Sequence, residues 1–305
     1  MEIKRKRFIV PGYDIRSDKK TLISKMFQNR YSKEYDNITD YAVLNGVKVK
    51  LDVKGQKYGS YWIANTKDVY EGPMDMIAYG PDYTLQATSS FRSEANVKDV
   101  GIRPFTTYSE IKDEAKIIET YVYPKVFLDE VYHIIEYGEY PQDIADNDKQ
   151  ILLEKMFNNN LLNRTGRTFS RDIGNPSKGM YCIEDDEYEY DGNKYIRVEN
   201  LNIGSTLSNG QNANASHYWI KVQPVKWVVD VNDDKVWSDK ILIGGVAYNG
   251  SITACYENTY ISSFMDHYFT RDINQKTSNN KTYPEQNIIE QSKPKRHKVK
   301  VRRIR

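Results

Sequence analysis

The strongest constraint on the fold is the stretch 217–231 (HYWIKVQPVKWVVDV), where β-branched and aromatic residues dominate. This composition is typical of a buried strand and unusual for a helix. Trp219 and Trp227 stand eight residues apart, so an unbroken strand would place both on one face, and a bend at Pro224 would break that parity. We expect both tryptophans in the core. Substitution of either tryptophan by alanine should lower the free energy of unfolding by about 3–5 kcal/mol.

The other strand patterns are short. They occur at 38–51, where Thr39-Asp40 caps a turn, at 58–105, and at 110–135 with Pro124 between two strands. Residues 187–200 form a hairpin pattern around Asp191-Gly192-Asn193. The polar segments 164–185 and 201–216 are predicted as loops, and a new section is predicted to start near Glu136.

Apolar residues fall at helical spacing in three segments, 17–31, 147–163 and 256–275. The buried face of the second helix is predicted from the following residues: Ile151, Leu152, Met156 and Leu161. Strands and helices do not alternate as βαβ units. The fold class predicted from these patterns is α+β, with many short strands, about three helices and long loops.

The charge of the chain is unevenly distributed. The 305 residues carry 44 Lys+Arg and 42 Asp+Glu, but the basic residues gather at both ends. The C-terminal tail holds eight of them and no acid: Lys293, Lys295, Arg296, Lys298, Lys300, Arg302, Arg303 and Arg305. Such a tail can contact nucleic acid, anionic lipid or a protein partner, or simply add solubility. Because residues 298–302 alternate cations with valines, we expect residues 298–305 to form an edge strand, or to lie along a partner subunit, when the protein is assembled.

Several classes of protein are excluded. A membrane span needs about 20 apolar residues, and no such run occurs. The N-terminal apolar run, Phe8 to Val10, is too short for a signal peptide. Cys182 and Cys255 are too few for a disulfide scaffold. The 12% of aromatic residues argues against a disordered chain.

The sequence offers no clear metal or catalytic site. The four histidines lack metal-ligand spacing, and no cofactor is predicted. Calcium stays open at the acidic runs around Asp233 and at 184–187, where a solvated loop is the alternative. A cysteine–histidine pair can be drawn from Cys182 or Cys255, although a buried inert thiol is the ordinary case.

Tyrosines gather in the loop-rich segment 58–83. We predict a ligand-binding surface from the following residues: Tyr58, Tyr61, Tyr70, Tyr79 and Tyr83. Tyrosine offers a large contact area at a low cost in entropy. The alternative is that these rings pack the loops, in a protein whose gene favours Tyr, Asn, Ile and Lys codons.

A set of short motifs resembles the DUF6273 family, a domain of unknown function common in Firmicutes and their phages. Motifs like the first half of that family are 136–142 (EYGEYPQ), 219–229 (WIKVQPVKWVV), 237–242 (WSDKIL), 257–261 (ENTYI) and 264–269 (FMDHYF). Motifs like its second half come earlier, at Thr39–Ala42 with Gly46, at 59–63 (GSYWI) and at 101–104 (GIRP). The family's WLRS motif is replaced by WIAN at 62–65, so no role of its arginine is carried over.

The reversed order of the halves implies a circular permutation, or two copies that are each degenerate in one half. The resemblance implies a fold similar to the C-type-lectin-like fold of formylglycine-generating enzymes. The resemblance implies three parts of the chain: a basic arm at 1–19, a permuted domain at 20–273, and a polar linker with the basic tail at 274–305. Within the domain, 20–105 holds the second-half motifs, 106–133 the connection and 134–273 the first-half motifs. We expect these parts to unfold as one unit.

The resemblance also implies a function. The expected role is non-catalytic: a binding or structural protein, either a phage virion component or a surface-recognition module. Its expected partners are proteins or further copies of the chain, with a surface glycan or nucleic acid as alternatives. The expected location is the virion or the bacterial cytoplasm. An oxidase-like or hydrolase-like enzyme on the same fold is the alternative function, and nucleic-acid binding through the basic ends is a second.

Overall fold

The computed structural model describes residues 7–10, 38–51, 57–63, 74–77, 88–91, 96–124, 126–250 and 256–275. The elements in the first half are α1 (Asp40–Leu44), β1 (Lys50–Leu51), β2 (Lys57–Tyr58), β3 (Ser60–Ile63), β4 (Met74–Ile77), β5 (Thr88–Phe91), β6 (Phe105–Thr107), α2 (Tyr108–Ile111), β7 (Lys116–Tyr123) and β8 (Glu130–Ile144). Those in the second half are α3 (Asn147–Asn158), β9 (Asn163–Asp172), β10 (Cys182–Tyr190), β11 (Asn193–Glu199), β12 (His217–Asp230), β13 (Lys235–Ser238), a 3₁₀ turn (Tyr256–Asn258), α4 (Tyr260–Phe264), a π-helical turn (Met265–Phe269) and α5 (Thr270–Ile273).

The main sheet has eight strands and is organised around β12. One side of β12 pairs with β8 along most of its length. The other side pairs with β11 in its first half and with β13 in its second half, so the sheet forks there. One branch continues through β10 to β9 and the other ends at β6, while β7 pairs with β8. Each pair of the strands given above is antiparallel, and few helices accompany the sheets, which is consistent with the predicted α+β class or with a β-rich class.

The two tryptophans of β12 are buried, as predicted, but on different faces. Trp227 is fully buried in the main core, whereas Trp219 belongs to a second, smaller cluster. The pairing of β12 with β8 is irregular between Pro224 and Lys226. Ile220 and Val222 enter the main core before that point, and Val225 and Trp227 enter it after that point. The irregularity at Pro224 therefore reverses the parity of the strand.

The predicted face of α3 is wrong. Ile151 is 71% exposed and Leu152 and Leu161 are also exposed, whereas Leu153 is fully buried and packs with Phe157 against Trp219. The helix is oriented by polar groups: Gln150 bonds to the backbone N–H and C=O of Trp219, and Glu154 accepts a hydrogen bond from Trp219 Nε1 at 3.0 Å. A count of apolar residues cannot register these polar contacts.

The predicted loop 164–185 is also wrong for most of its length. It contains the whole of β9 after its first residue and the start of β10, with an irregular connection at 173–181. The hairpin of β10 and β11 is confirmed, and its turn residues Asp191 and Gly192 have φ of +53° and +70°. The two strands predicted in 110–135 are confirmed as β7 and β8, but β8 runs through Glu136 without a break.

The helix predicted at 256–275 is confirmed almost throughout. At 38–51 the predicted capped turn is the short helix α1, where Thr39 accepts a hydrogen bond from Ala42 N, and the predicted strand is reduced to β1. The helix predicted at 17–31 and most of the linker and tail lie outside the described residues. No helix in the described part of the chain is long and apolar enough to span a membrane.

The main core draws residues from distant parts of the chain. It includes Phe8, Tyr41, Trp62, Tyr140 and Phe264. Phe8 was assigned to the N-terminal arm, yet it packs 5.2 Å from Trp227 between ring centres and is fully buried. The packed unit therefore includes residues 7–10. That this unit unfolds in one step stays a prediction.

Candidate functional site

An exposed apolar surface lies on the hairpin formed by β7 and β8. At its tip Val126 is 92% exposed, Phe127 99% and Leu128 70%. Along β7, Ile117, Ile118 and Val122 are also exposed. We call these six residues the hairpin surface. Single exposed apolar residues are ordinary on soluble proteins, but three consecutive ones at a turn, with more along the adjoining strand, indicate a contact site for another molecule.

The base of the hairpin is fixed to the main sheet. The side chain of Asn232, just after β12, accepts a hydrogen bond from Val131 N at 2.8 Å and donates one to Asp129 O at 3.1 Å. A backbone bond from Val231 N to Val131 O adds to this clamp. At the other end of the turn, Pro124 has no N–H to continue the ladder, so β7 ends there. The tip thus projects from a fixed base.

A bulge decides which β7 residues share a face. The pairing of β7 with β8 shifts between Ile117 and Glu119, so Ile118 is an extra residue. Past the bulge, Thr120 lies opposite His133 and Val122 opposite Val131 on one face. Thr120 Oγ1 lies 2.9 Å from His133 Nδ1, and burial lowers the pKa of this imidazole. The bulge brings Ile117 onto that same face with Val122.

The sequence pattern predicts the two strands but not the exposed surface that they carry. β-Branched residues suit both a buried strand and an exposed one, so their presence in β7 does not reveal exposure. One signal was available: the apolar run Val126-Phe127-Leu128 falls in the turn between the strands, where polar residues are the rule. An apolar turn of this kind points to contact with something outside the chain.

The predicted tyrosine site is placed only in part. Tyr58 lies on β2 and Tyr61 on β3. Tyr61 is only 4% exposed and packs in the main core, with the Arg103 guanidinium 5.6 Å from its ring centre, so it cannot present its ring to a surface ligand in this structure. Tyr70, Tyr79 and Tyr83 lie outside the described residues, and so do the eight basic tail residues. The ligand role of the other four tyrosines stays a prediction.

The acidic run 184–187 is not a solvated loop. It lies on β10, and all four of its carboxylates pair with arginines on neighbouring elements. Asp185 bonds to the buried Arg171, and the fully buried Glu187 lies 3.3 Å from Arg167. Glu184 accepts a hydrogen bond from Arg271 at 2.7 Å. In the described residues no group of three His, Cys, Asp or Glu side chains is arranged to hold a metal ion.

The interior around this run contains several more ionisable groups. The rings of Tyr41 and Tyr140 pack edge to face at 5.7 Å, and burial raises the pKa of both phenols well above the ordinary value. Burial also raises the pKa of the Cys182 thiol, so it is protonated at neutral pH and lacks the reactivity of a thiolate. Cys255 lies outside the described residues.

Asp272 should make the stability of the protein depend on pH. Burial raises its pKa to about 6, although Arg271 and the backbone N–H of Ser170 favour its charged form. In the unfolded chain an aspartate has a pKa of about 3.9. The folded state therefore binds more protons between these values, so stability should fall as the pH rises from about 4 to about 6.

Asp272→Asn should reduce this loss of stability by up to about 3 kcal/mol. Denaturant unfolding at pH 4, 5, 6 and 7 would measure it. Asp266→Asn, on the same helical segment but 34% exposed, is the control and should keep the wild-type profile. An unchanged profile for Asp272→Asn would contradict the assignment.

Comparisons of the chain with protein-family models, with curated proteins and with solved structures found no match. The resemblance to the DUF6273 family therefore rests on the sequence motifs alone.

Proposed function

We propose that this protein is a non-catalytic binding or structural protein, a phage virion component or surface-recognition module, that acts through its hairpin surface. The observation that carries the proposal is the tip, where three consecutive apolar side chains are 70–99% exposed. Burial of apolar area is favourable by about 25 cal/mol per Å². Covering Val126, Phe127 and Leu128 with a partner protein would therefore contribute favourably to the free energy of binding.

The arrangement of the tip also suits binding. The side chain of Asn232 holds the β8 end of the turn to the main sheet through Val131 N and Asp129 O, which lowers the cost of ordering the tip on binding. Phe127 stands at the centre of the tip, with Val126 and Leu128 beside it. Aromatic residues with apolar neighbours are typical anchors of protein interfaces.

We propose further that the fold is a permuted C-type-lectin-like domain of the DUF6273 type. The segments that carry the two sets of motifs meet in the structure. Thr39 N donates to Ile241 O at 3.1 Å, and Ile102 N donates to Ile243 O at 2.8 Å. Strand β6, which follows the GIRP motif directly, pairs with β13. These contacts support one domain whose halves were exchanged in order. The alternatives of an enzyme and of nucleic-acid binding through the basic tail stay predictions from the sequence.

The proposed function can be tested with a charge at the tip. We expect the wild-type protein to sediment with phage particles or the cell envelope in lysates of the culture that produces it, and to be located there by immunogold electron microscopy. Phe127→Asp should abolish this association. Ile151→Asp is the matched control, because Ile151 is a similarly exposed apolar residue on α3, and it should behave as the wild type.

Two results would contradict the proposal. A wild-type protein that stays in the supernatant and labels neither particles nor envelope would exclude the structural role. A Phe127→Asp protein that associates as well as the wild type would show that the tip is not the contact. Circular dichroism and thermal unfolding of each variant would establish that the fold is intact.

A further inference from the structure

We infer that two copies of this chain join through their β7 strands, which pair antiparallel about a two-fold axis at Thr120. The inference rests on the proposed function, because it names one partner of the same hairpin surface. The partner is a second copy, and the contact is a continuous sheet that crosses from one chain to the other.

The first observation is the position of β7. Among the described residues, the strand that pairs with β7 is β8 alone, so β7 stands at the border of the eight-stranded sheet. An edge strand that carries exposed apolar side chains can pair with a further strand unless another part of the protein covers it. Here Ile117, Ile118 and Val122 are 50%, 37% and 53% exposed.

The second observation is that the β7 sequence complements itself in one register. A two-fold axis perpendicular to the sheet keeps each face on its own side, so residues that meet must share a face. With the axis at Thr120, the two threonines meet each other, and Glu119 meets Tyr121 of the second copy. The bulge at Ile117 and Ile118 meets Val122. Paired threonines and paired β-branched residues are favourable across antiparallel strands.

Neighbouring registers are worse for identifiable reasons. An axis at Glu119 would place two carboxylates directly opposite each other, which is destabilising. An axis at Tyr121 would shift the apolar bulge away from Val122 and towards Pro124, which cannot donate to a ladder. The register at Thr120 pairs threonine with threonine and the apolar bulge with Val122, and it leaves no like charges opposed. In one chain, Tyr121 Oη already donates to Glu119 Oε2 at 2.5 Å, so the same donor and acceptor types recur across the junction.

Disulfide trapping tests this register directly. Because Thr120 would meet its own counterpart, Thr120→Cys should join two full-length chains under mild oxidation; directly opposed residues have the Cα separation that a disulfide needs. Both native cysteines are replaced by serine in the background. Val126→Cys is the control for random collision: it is 92% exposed but does not meet its counterpart in this register. We expect cross-linking of Thr120→Cys at least ten times faster than of Val126→Cys.

Sedimentation velocity gives an independent measurement without introduced cysteines. The wild-type chain should show a concentration-dependent dimer, and Ile118→Lys should shift it to monomer while the thermal transition is retained. Ile151→Lys should leave the dimer unchanged. Equal cross-linking rates for the two cysteine variants, or a wild type that is monomeric throughout, would overturn the inference.

The two proposals fail separately. A monomeric wild type whose association with particles or envelope still depends on Phe127 would overturn the pairing and leave the proposed function standing. If Thr120→Cys forms the dimer but the protein associates with neither phage particles nor the cell envelope, the proposed function fails and the pairing of β7 strands stands.

Discussion

Replacement of Trp227 by alanine is expected to lower the free energy of unfolding by about 3–5 kcal/mol. The side chain is fully buried in the main core, where its ring contacts Phe8 and its Nε1 donates to Tyr137 O at 2.8 Å. The truncation leaves a cavity among large rings and an unpaired carbonyl. Denaturant unfolding of the variant against the wild type measures the loss.

Two further variants make this measurement specific. Trp219→Ala removes the same side chain from the second cluster and should cost a similar amount, because that ring is 1% exposed. Phe127→Ala removes an aromatic ring that is 99% exposed and should change stability by less than about 0.5 kcal/mol. A loss under about 1 kcal/mol for both tryptophans would show that these sites are not the packed interior described above.

Replacement of Arg171 by methionine is expected to destabilise the protein by about 3–5 kcal/mol, because it leaves a buried carboxylate without its cation. The guanidinium is 3% exposed and bonds to Asp185, to Asn45 Oδ1 at 3.2 Å and to Glu199 O at 3.3 Å. Burial already raises the pKa of Asp185 and Arg171 opposes that rise, so loss of the arginine should raise it further. Since the folded state then holds a proton more tightly than the unfolded chain, the variant should lose less stability at pH 4 than at pH 7.

A double variant separates the ion pair from simple packing. Arg171→Met with Asp185→Leu removes both charges and should recover much of the loss, since buried pairs replaced by apolar residues are often neutral in stability. Arg197→Met breaks a more exposed pair with Glu154 and should cost only about 0–1 kcal/mol. If the double variant were less stable than Arg171→Met, the loss would come from packing and not from the uncompensated charge.

The sequence predicted the elements whose pattern depends on their own residues. The long strand β12, the turn at Asp191-Gly192 and the capping of α1 by Thr39 all follow from local chemistry. Strand β9 was missed because its arginines look like loop residues until their acidic partners on β10 are placed opposite them. The face of α3 was missed for the same reason, since Gln150 and Glu154 direct it through bonds to Trp219.

The candidate site was harder to predict than the fold. The residues of β7 are those of any half-buried strand, and their exposure depends on which elements the sheet places beside them. Val126 and Phe127 carry a signal of their own, because an apolar turn is unusual, but the sequence pattern predicted them as part of the strands in 110–135. By contrast, the tyrosine prediction depended on composition alone, and Tyr61 shows that a tyrosine in a loop-rich segment can belong to the core.

The burial of Phe8 has a consequence for how the chain is made. Phe8 N bonds to Thr270 Oγ1, 262 residues further along, and its ring packs against Phe269. The main core cannot close until that last helical segment has left the ribosome. At about 5–20 residues per second, Phe8 and the apolar strands behind it would remain without their final partners for roughly 13–50 s. A nascent chain of this protein should therefore depend on chaperones that bind exposed apolar segments during synthesis, and it should be cleaved by proteases until residue 273 has left the ribosome.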